Sequence, residues 1–240
     1  VSKKLGEIIA DRLEKQIISE GLPPGSLLGS EMELIAGLGC SRAVFREAVR
    51  LLERHGIVEM RRGVGGGLYV RRPDASSVSQ AMSVFLDYNG VRTEQLEEAR
   101  RAIETTGVES LARSIDDEGI ARLREYLDVE ATYVAEGVSD RLHEFHILIA
   151  SLTGNPALEL FTDSLTQLTR RKRTVENDAP TDLQRVHIIH LRIAEAIIGR
   201  DPALARHRMV THLEALASFD AREPESAQLG DVGHGARAAI

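Results

Sequence analysis

A single cysteine, Cys40, stands in 240 residues, which excludes an internal disulfide and a cysteine-only zinc site. No apolar run approaches the roughly twenty residues that a membrane-crossing helix needs. The opening stretch, VSKKLGEIIADRLEKQI, is amphipathic and carries acids, unlike a secretory leader, so a cytoplasmic address is the expectation. A basic excess is also missing. The net charge is -7, which on its face is hostile to nucleic acid. That sum conceals a division: residues 1–73 carry a net +3 and residues 74–240 a net -10. Such asymmetry implies two domains with different partners. The rest of the composition, 42% hydrophobic and 28% charged, is enough to build an ordinary globular core.

Residues 5–20 place Leu5, Ile8, Ile9, Leu13 and Ile17 at helical spacing, and GLPPG at 21–25 stops that helix. A short second helix fits Ser30 to Leu38. Ser30 and Glu33 form a capping box at its start and Gly39 ends it. Ser41 then caps a third helix with Val44, Phe45, Ala48, Val49, Leu51 and Leu52 on its apolar side, terminated by Gly56. Two helices separated by so few residues have the spacing of a helix-turn-helix unit.

Arg42, Arg46 and Arg50 recur every four residues and share one face of the third helix. Arginine forks suit phosphate oxygens and the guanine edge alike. IVEMRR and LYVRR flank GVGGG and predict a hairpin, with Arg61, Arg62, Arg71 and Arg72 around its turn. The reading is a helix for the major groove and a glycine-tipped hairpin leaning on the neighbouring backbone or minor groove. Its bland competitor is a small helical bundle with a solvated arginine face. A nucleotide cradle is poorly supported, because no Lys-Ser or Lys-Thr pair follows the glycines to open a helix.

The stretch PPGSLLGSEMELIAGLGCSRAVFREAVRLLERHGIVEMRRG resembles the winged-helix domain of the GntR family of bacterial transcriptional regulators over about seventy residues. The resemblance implies that Ser41, Arg42, Arg46 and the wing residues Arg62 and Gly63 contact operator DNA; Arg50 is added as a candidate by its place in the arginine row alone. Relatives often carry an arginine between the two glutamates of the second helix. Here that position is Met32, so one contact is expected to be absent or moved.

Beyond Pro73 the pattern changes. Ser76 to Tyr88 predicts a linking helix, and from Thr93 helical periodicity runs to residue 218 with no competing strand pattern. Helices are expected near 93–115, 117–134, 138–151, 154–175, 181–199 and 201–218, with glycines and prolines at the joints. The stretch from Ala221 reads as a loose tail. The expected domains are 1–73, a linker at 74–92, a helical domain at 93–219 and a flexible tail at 220–240. Six of the eight histidines fall in three pairs on three of these helices: His143 and His146, His187 and His190, His207 and His212. Imidazoles suit zinc, nickel, iron or copper. Half-buried and solvent-facing histidines with no metal explain the spacing equally well.

A second resemblance narrows the choice. EARRAIE at 98–104, EFHILIASLTGNPAL at 144–158 and HLRIAEAIIGRDPALARHRMVTHL at 190–213 resemble the FCD domain, the all-helical ligand-binding half of the FadR subgroup. The resulting fold class is mainly α: a winged helix-turn-helix of three helices and a β-hairpin wing, joined to an all-helical FCD bundle. Metal-binding relatives use three histidines and an aspartate, and the histidines fall on His146, His190 and His212. The aspartate is expected four residues before the first histidine, where this chain has Leu142. Three arrangements follow. In the favoured one, the three histidines hold a divalent transition metal, zinc or nickel, with water or effector completing it. In the second, His143 serves as a substitute fourth ligand; in the third, the site is a metal-free pocket. The resemblance also points Arg100 at the carboxylate of a small effector. Asn155 is a lesser effector candidate beside its plainer role as a helix cap. Glu104 can orient a ligating imidazole or pair with Arg100 along the helix.

Together these readings describe a repressor-like, homodimeric regulator that binds a palindromic operator and answers to a small organic acid. It is neither an enzyme nor a membrane protein. One alternative makes the helical domain a dimerisation module only. Another gives it metal-dependent hydrolase activity.

Overall fold

The structure is a computed structural model describing residues 3–73, 75–176 and 182–220. The stretch read as a tail, 221–240 with His234, lies outside the described residues. The chain divides into two compact units at Gly90 and Val91, so the helix read as a linker is grouped with the first unit.

The first unit runs α1 (Leu5–Ser19), β1 (Leu27–Gly29), α2 (Glu31–Leu38), α3 (Arg42–Arg54), β2 (Val58–Arg61), β3 (Gly67–Val70) and α4 (Ala75–Tyr88). The local signals act as expected. Ser30 Oγ accepts from Glu33 N and the Glu33 carboxylate accepts from Ser30 N, which closes the capping box of α2. Gly39 ends α2 at φ 63°, a left-handed turn that favours glycine, and Ser41 then caps α3. Amphipathicity does the packing. Ile9, Leu13 and Ile17 of α1 meet Phe45, Ala48, Val49 and Leu52 of α3, and Val58, Leu68 and Val70 close the core from the sheet. Phe45, Leu52 and Leu68 are completely buried, each stabilising the unit by about 1.5–3 kcal/mol.

The expected hairpin is part of a three-stranded antiparallel sheet, ordered β1-β3-β2. Val58 pairs with Val70 and Arg61 with Gly67, while Leu27 and Gly29 pair with the other edge of β3. Gly67 permits this approach: a Cβ there would lie 2.7 Å from the Gly29 carbonyl oxygen.

The second unit comprises α5 (Thr93–Ser114), α6 (Asp117–Ala135), α7 (Glu144–Leu152), α8 (Pro156–Glu176), α9 (Leu183–Ile198) and α10 (Pro202–Asp220). Helix α5 is central, packing against α7, α8, α9 and α10, while α6 lies on α9. Val108, Leu111, Leu123, Phe145, Ile193, Ile197 and Met209 fill the core between them. Asp116 and Asp182 cap α6 and α9 through Gly119 N and Arg185 N. The helix expected over 138–151 starts later: residues 140–143 form turns and α7 begins at Glu144. Leu142 therefore precedes the helix and is buried, 6% exposed. No helix among the described residues is long and apolar enough to cross a membrane.

Candidate functional site

Three helices of the second unit bring His146 (α7), His190 (α9) and His212 (α10) together, each no more than 4% exposed. His212 Nε2 lies 3.2 Å from His190 Nε2 and 3.4 Å from His146 Nε2. Behind two of the rings sit buried carboxylates. His146 Nδ1 is 2.5 Å from Glu104 Oε2 on α5, and His190 Nδ1 is 2.7 Å from Glu130 Oε1 on α6. A carboxylate there accepts Nδ1–H, which selects the tautomer whose Nε2 lone pair is bare. His212 Nε2 thus faces two acceptors, and a single proton can serve only one of them. A divalent cation serves all three. Imidazole nitrogens about 2.0–2.1 Å from a tetrahedral zinc ion lie roughly 3.3–3.4 Å apart, the spacing between His212 and His146 and close to that between His212 and His190. The donor set therefore fits a metal.

The electrostatics agree. Burial pushes His190 down to about 4 despite the nearby Glu130, so the imidazole is neutral at physiological pH, the form that ligates. Burial is also the largest influence on Glu104 and would raise its pKa. The Arg100 guanidinium, with Nε 2.7 Å from Glu104 Oε1, and the His146 imidazole outweigh burial and hold the carboxyl down at about 2. Glu130 is likewise held below the usual range: burial opposes this, but His190 and His187 prevail. Its second oxygen accepts from His187 Nδ1 at 2.7 Å. Phe145 stacks on the His190 ring at 4.1 Å between centroids, so neighbouring residues of one helix supply a ligand candidate and the packing partner of another.

Other expected site residues are placed differently. His143 is a correction: its Nε2 lies 3.1 Å from Arg170 Nη1, and it does not join the three-histidine group. It precedes the first helical residue, and burial together with Arg170 lowers its pKa. Asn155 is exposed, and its Oδ1 accepts from Ala157 N and Leu158 N at the start of α8, the capping role expected beside its effector role. Leu142 offers no donor, and its buried side chain belongs to the core. Arg100 is buried, 4% exposed, with Glu104 as its partner, and the same carboxylate also contacts the His146 imidazole. Glu130, which holds His190 and its pair-mate His187, is a site residue that the sequence analysis does not single out. The signal was a glutamate continuing the buried stripe of Leu123 and Leu127 on α6.

In the first unit, Arg42, Arg46 and Arg50 are exposed on the side of α3 away from Phe45, Ala48, Val49 and Leu52. Ser41 Oγ accepts from Val44 N and leaves the start of α3 turned to solvent. Arg42 Nε and Arg46 Nε both reach Glu31 Oε1, at 2.9 and 3.3 Å. Arg62 and Gly63 are exposed in the turn after β2, and Arg61 lies over the Tyr69 ring at 4.3 Å. A groove of about 570 Å³ runs between α3 and this hairpin, lined by Arg46, Arg50, Arg61 and Arg62 among others. Met32, where relatives often carry arginine, is 80% exposed on α2.

A helix-turn-helix with an arginine face and a three-stranded wing, followed by an all-helical unit, defines a winged-helix transcriptional regulator. The chain belongs to the GntR family: residues 5–68 match the bacterial regulatory proteins of the gntR family, and residues 95–215 match the FCD domain. It is similar to the HTH-type transcriptional repressor NanR of Cronobacter sakazakii, 30% identical over 225 residues that cover 89% of this chain and 84% of the relative. The HTH-type transcriptional regulator YcbG of Bacillus subtilis is 32% identical over 213 residues, 88% of each chain. Among solved structures, the Streptococcus agalactiae GntR superposes with a TM-score of 0.68 at 27% identity, covering 89% of this chain and 99% of that one. The first two of these relatives carry the names of HTH-type transcriptional regulators.

Proposed function

We propose that this chain is a homodimeric repressor whose affinity for a palindromic operator is set by a small organic acid bound in the FCD domain beside a divalent metal. The observation that carries the reading is the group of three buried imidazoles, with Nε2 separations of 3.2 and 3.4 Å and carboxylates behind His146 and His190. His146, His190 and His212 would hold the metal, zinc or nickel by donor type. When bound, the metal supplies a Lewis-acidic position for an anionic oxygen. Arg100 is the proposed partner for the acid's carboxylate, as guanidinium forks pair with carboxylates. Glu104 and Glu130 hold their imidazoles in the ligating tautomer.

On the DNA side, Ser41, Arg42, Arg46 and Arg50 are the proposed contacts of α3, with Arg62 and Gly63 at the wing. One reader covers a half-site, so two are needed for a palindrome, and a change in their spacing is how the effector would act. Metal analysis of protein purified without added metal, set beside the His146→Ala, His190→Ala, His212→Ala triple variant, tests the centre. About one equivalent of zinc or nickel in the parent and none in the variant is expected. Equal content in both would refute it. Operator titrations with and without a chelator, across a panel of small carboxylates, test the coupling. No change in affinity under any of them would reduce the FCD domain to a dimerisation module.

A further inference from the structure

Glu31 has a position that neither the DNA contacts nor the metal centre explains. It is the first residue of α2, directly after the Ser30 cap, and its side chain is only 26% exposed. One of its oxygens, Oε1, receives two guanidiniums from the next helix: Arg42 Nε at 2.9 Å and Arg46 Nε at 3.3 Å. Those arginines sit one turn apart at the start of α3, with side chains 70% and 61% exposed. Free arginines in such a place would sweep through many rotamers, and ordering them on binding would cost entropy. A carboxylate that grips each by Nε orders them in advance. It also uses the side of the fork, so the paired terminal nitrogens remain for an acceptor pair such as guanine O6 and N7.

From this geometry we infer that Glu31 is a positioning residue for DNA readout, holding Arg42 and Arg46 side by side so that their terminal nitrogens address bases rather than the nearest phosphates. The inference rests on α3 being the DNA reader. Its consequence is specificity more than affinity. A negative charge beside the forks weakens attraction to every phosphate, so removing it raises binding to all sequences. Loss of the grip lets the arginines collapse onto the backbone, and discrimination falls.

The test uses the full chain and two duplexes of equal length: the tightest binder recovered from a randomised pool, and a scrambled control. Affinities for both are measured across a salt series for the parent, Glu31→Ala, Glu31→Gln and the Arg42→Ala, Arg46→Ala double variant. Glutamine keeps an oxygen that can accept both Nε–H groups while losing the charge. Glu31→Gln is therefore expected to bind both duplexes several-fold more tightly, with the ratio between them within threefold of the parent. Glu31→Ala is expected to bind the control more tightly yet lose tenfold or more of the ratio. A ratio within twofold of the parent for Glu31→Ala overturns the inference. So does an equal fall for both Glu31 variants accompanied by a lower melting temperature, which would mark Glu31 as a support of α2. If the double arginine variant binds both duplexes like the parent, α3 is not the reader, and that failure is separate from the failure of Glu31 alone.

Discussion

Replacing Glu130 with glutamine offers the sharpest trial of the metal centre. The side chain is fully buried and its two oxygens take one imidazole each, His190 Nδ1 and His187 Nδ1, both at 2.7 Å. Glutamine changes one acceptor into a donor. If the amide oxygen stays with His190, His187 must turn or switch tautomer. If it goes to His187, the His190 proton moves to Nε2 and the lone pair is withdrawn from the site. Either way the preference for the ligating tautomer weakens, and outer-shell changes of this kind typically cost about 10–100-fold in metal affinity, or roughly 1.4–2.7 kcal/mol. Glu130→Ala goes further, leaving two buried N–H donors without an acceptor, each costing about 1–3 kcal/mol. The metal-free alanine variant should therefore unfold roughly 2–6 kcal/mol more easily than the parent. Competition of zinc against a chromophoric chelator at neutral pH reads the first effect, and urea unfolding of chelated protein reads the second. A glutamine variant that binds zinc within twofold of the parent would show that Glu130 does not orient a ligand.

Three further outcomes are expected. Arg42→Ala with Arg46→Ala should abolish preference for the selected duplex and flatten the salt dependence by about one unit for each phosphate that is no longer neutralised; retained preference in a gel-shift titration would refute the assignment of α3. Gly67→Ala would set a methyl group 2.7 Å from the Gly29 carbonyl, so β1 must part from β3. A loss of about 1–3 kcal/mol in urea unfolding is expected, and no loss would mean that β1 adds little. Glu104 is held down from 4.5 to about 2, so the stability it contributes is complete above its unfolded-state value and disappears as pH falls through its folded one. That difference amounts to roughly 3 kcal/mol, and Glu104→Gln should flatten the acid limb of the stability curve of metal-free protein between those two pH values. An unchanged limb would remove Glu104 as its cause.

Much of this molecule is legible along the chain, and the reason is range. The Ser30–Glu33 box, the left-handed Gly39 and the Ser41 cap each depend on residues within four positions of one another, so α2, the turn and α3 follow from local rules. The stripe of Phe45, Ala48, Val49 and Leu52 likewise dictates which face of α3 is buried and which face carries Arg42, Arg46 and Arg50. Asn155 beside Pro156 carries an ordinary capping signal, and its Oδ1 caps α8.

What the chain could not state concerns residues that meet only after packing. Three residues of β1 are too few for a period, and their partner lies some forty positions on in β3. The turns at 140–143 displaced the expected start of α7, buried Leu142 and set His143 against Arg170. Spacing alone did not choose among six histidines; the family likeness singled out three, and the packing of α7, α9 and α10 is what brings their Nε2 atoms within reach of one ion. Glu130 gained its meaning only when α6 laid it against α9, because a carboxylate on an apolar stripe is an anomaly until the imidazoles that hydrogen-bond to it are in place.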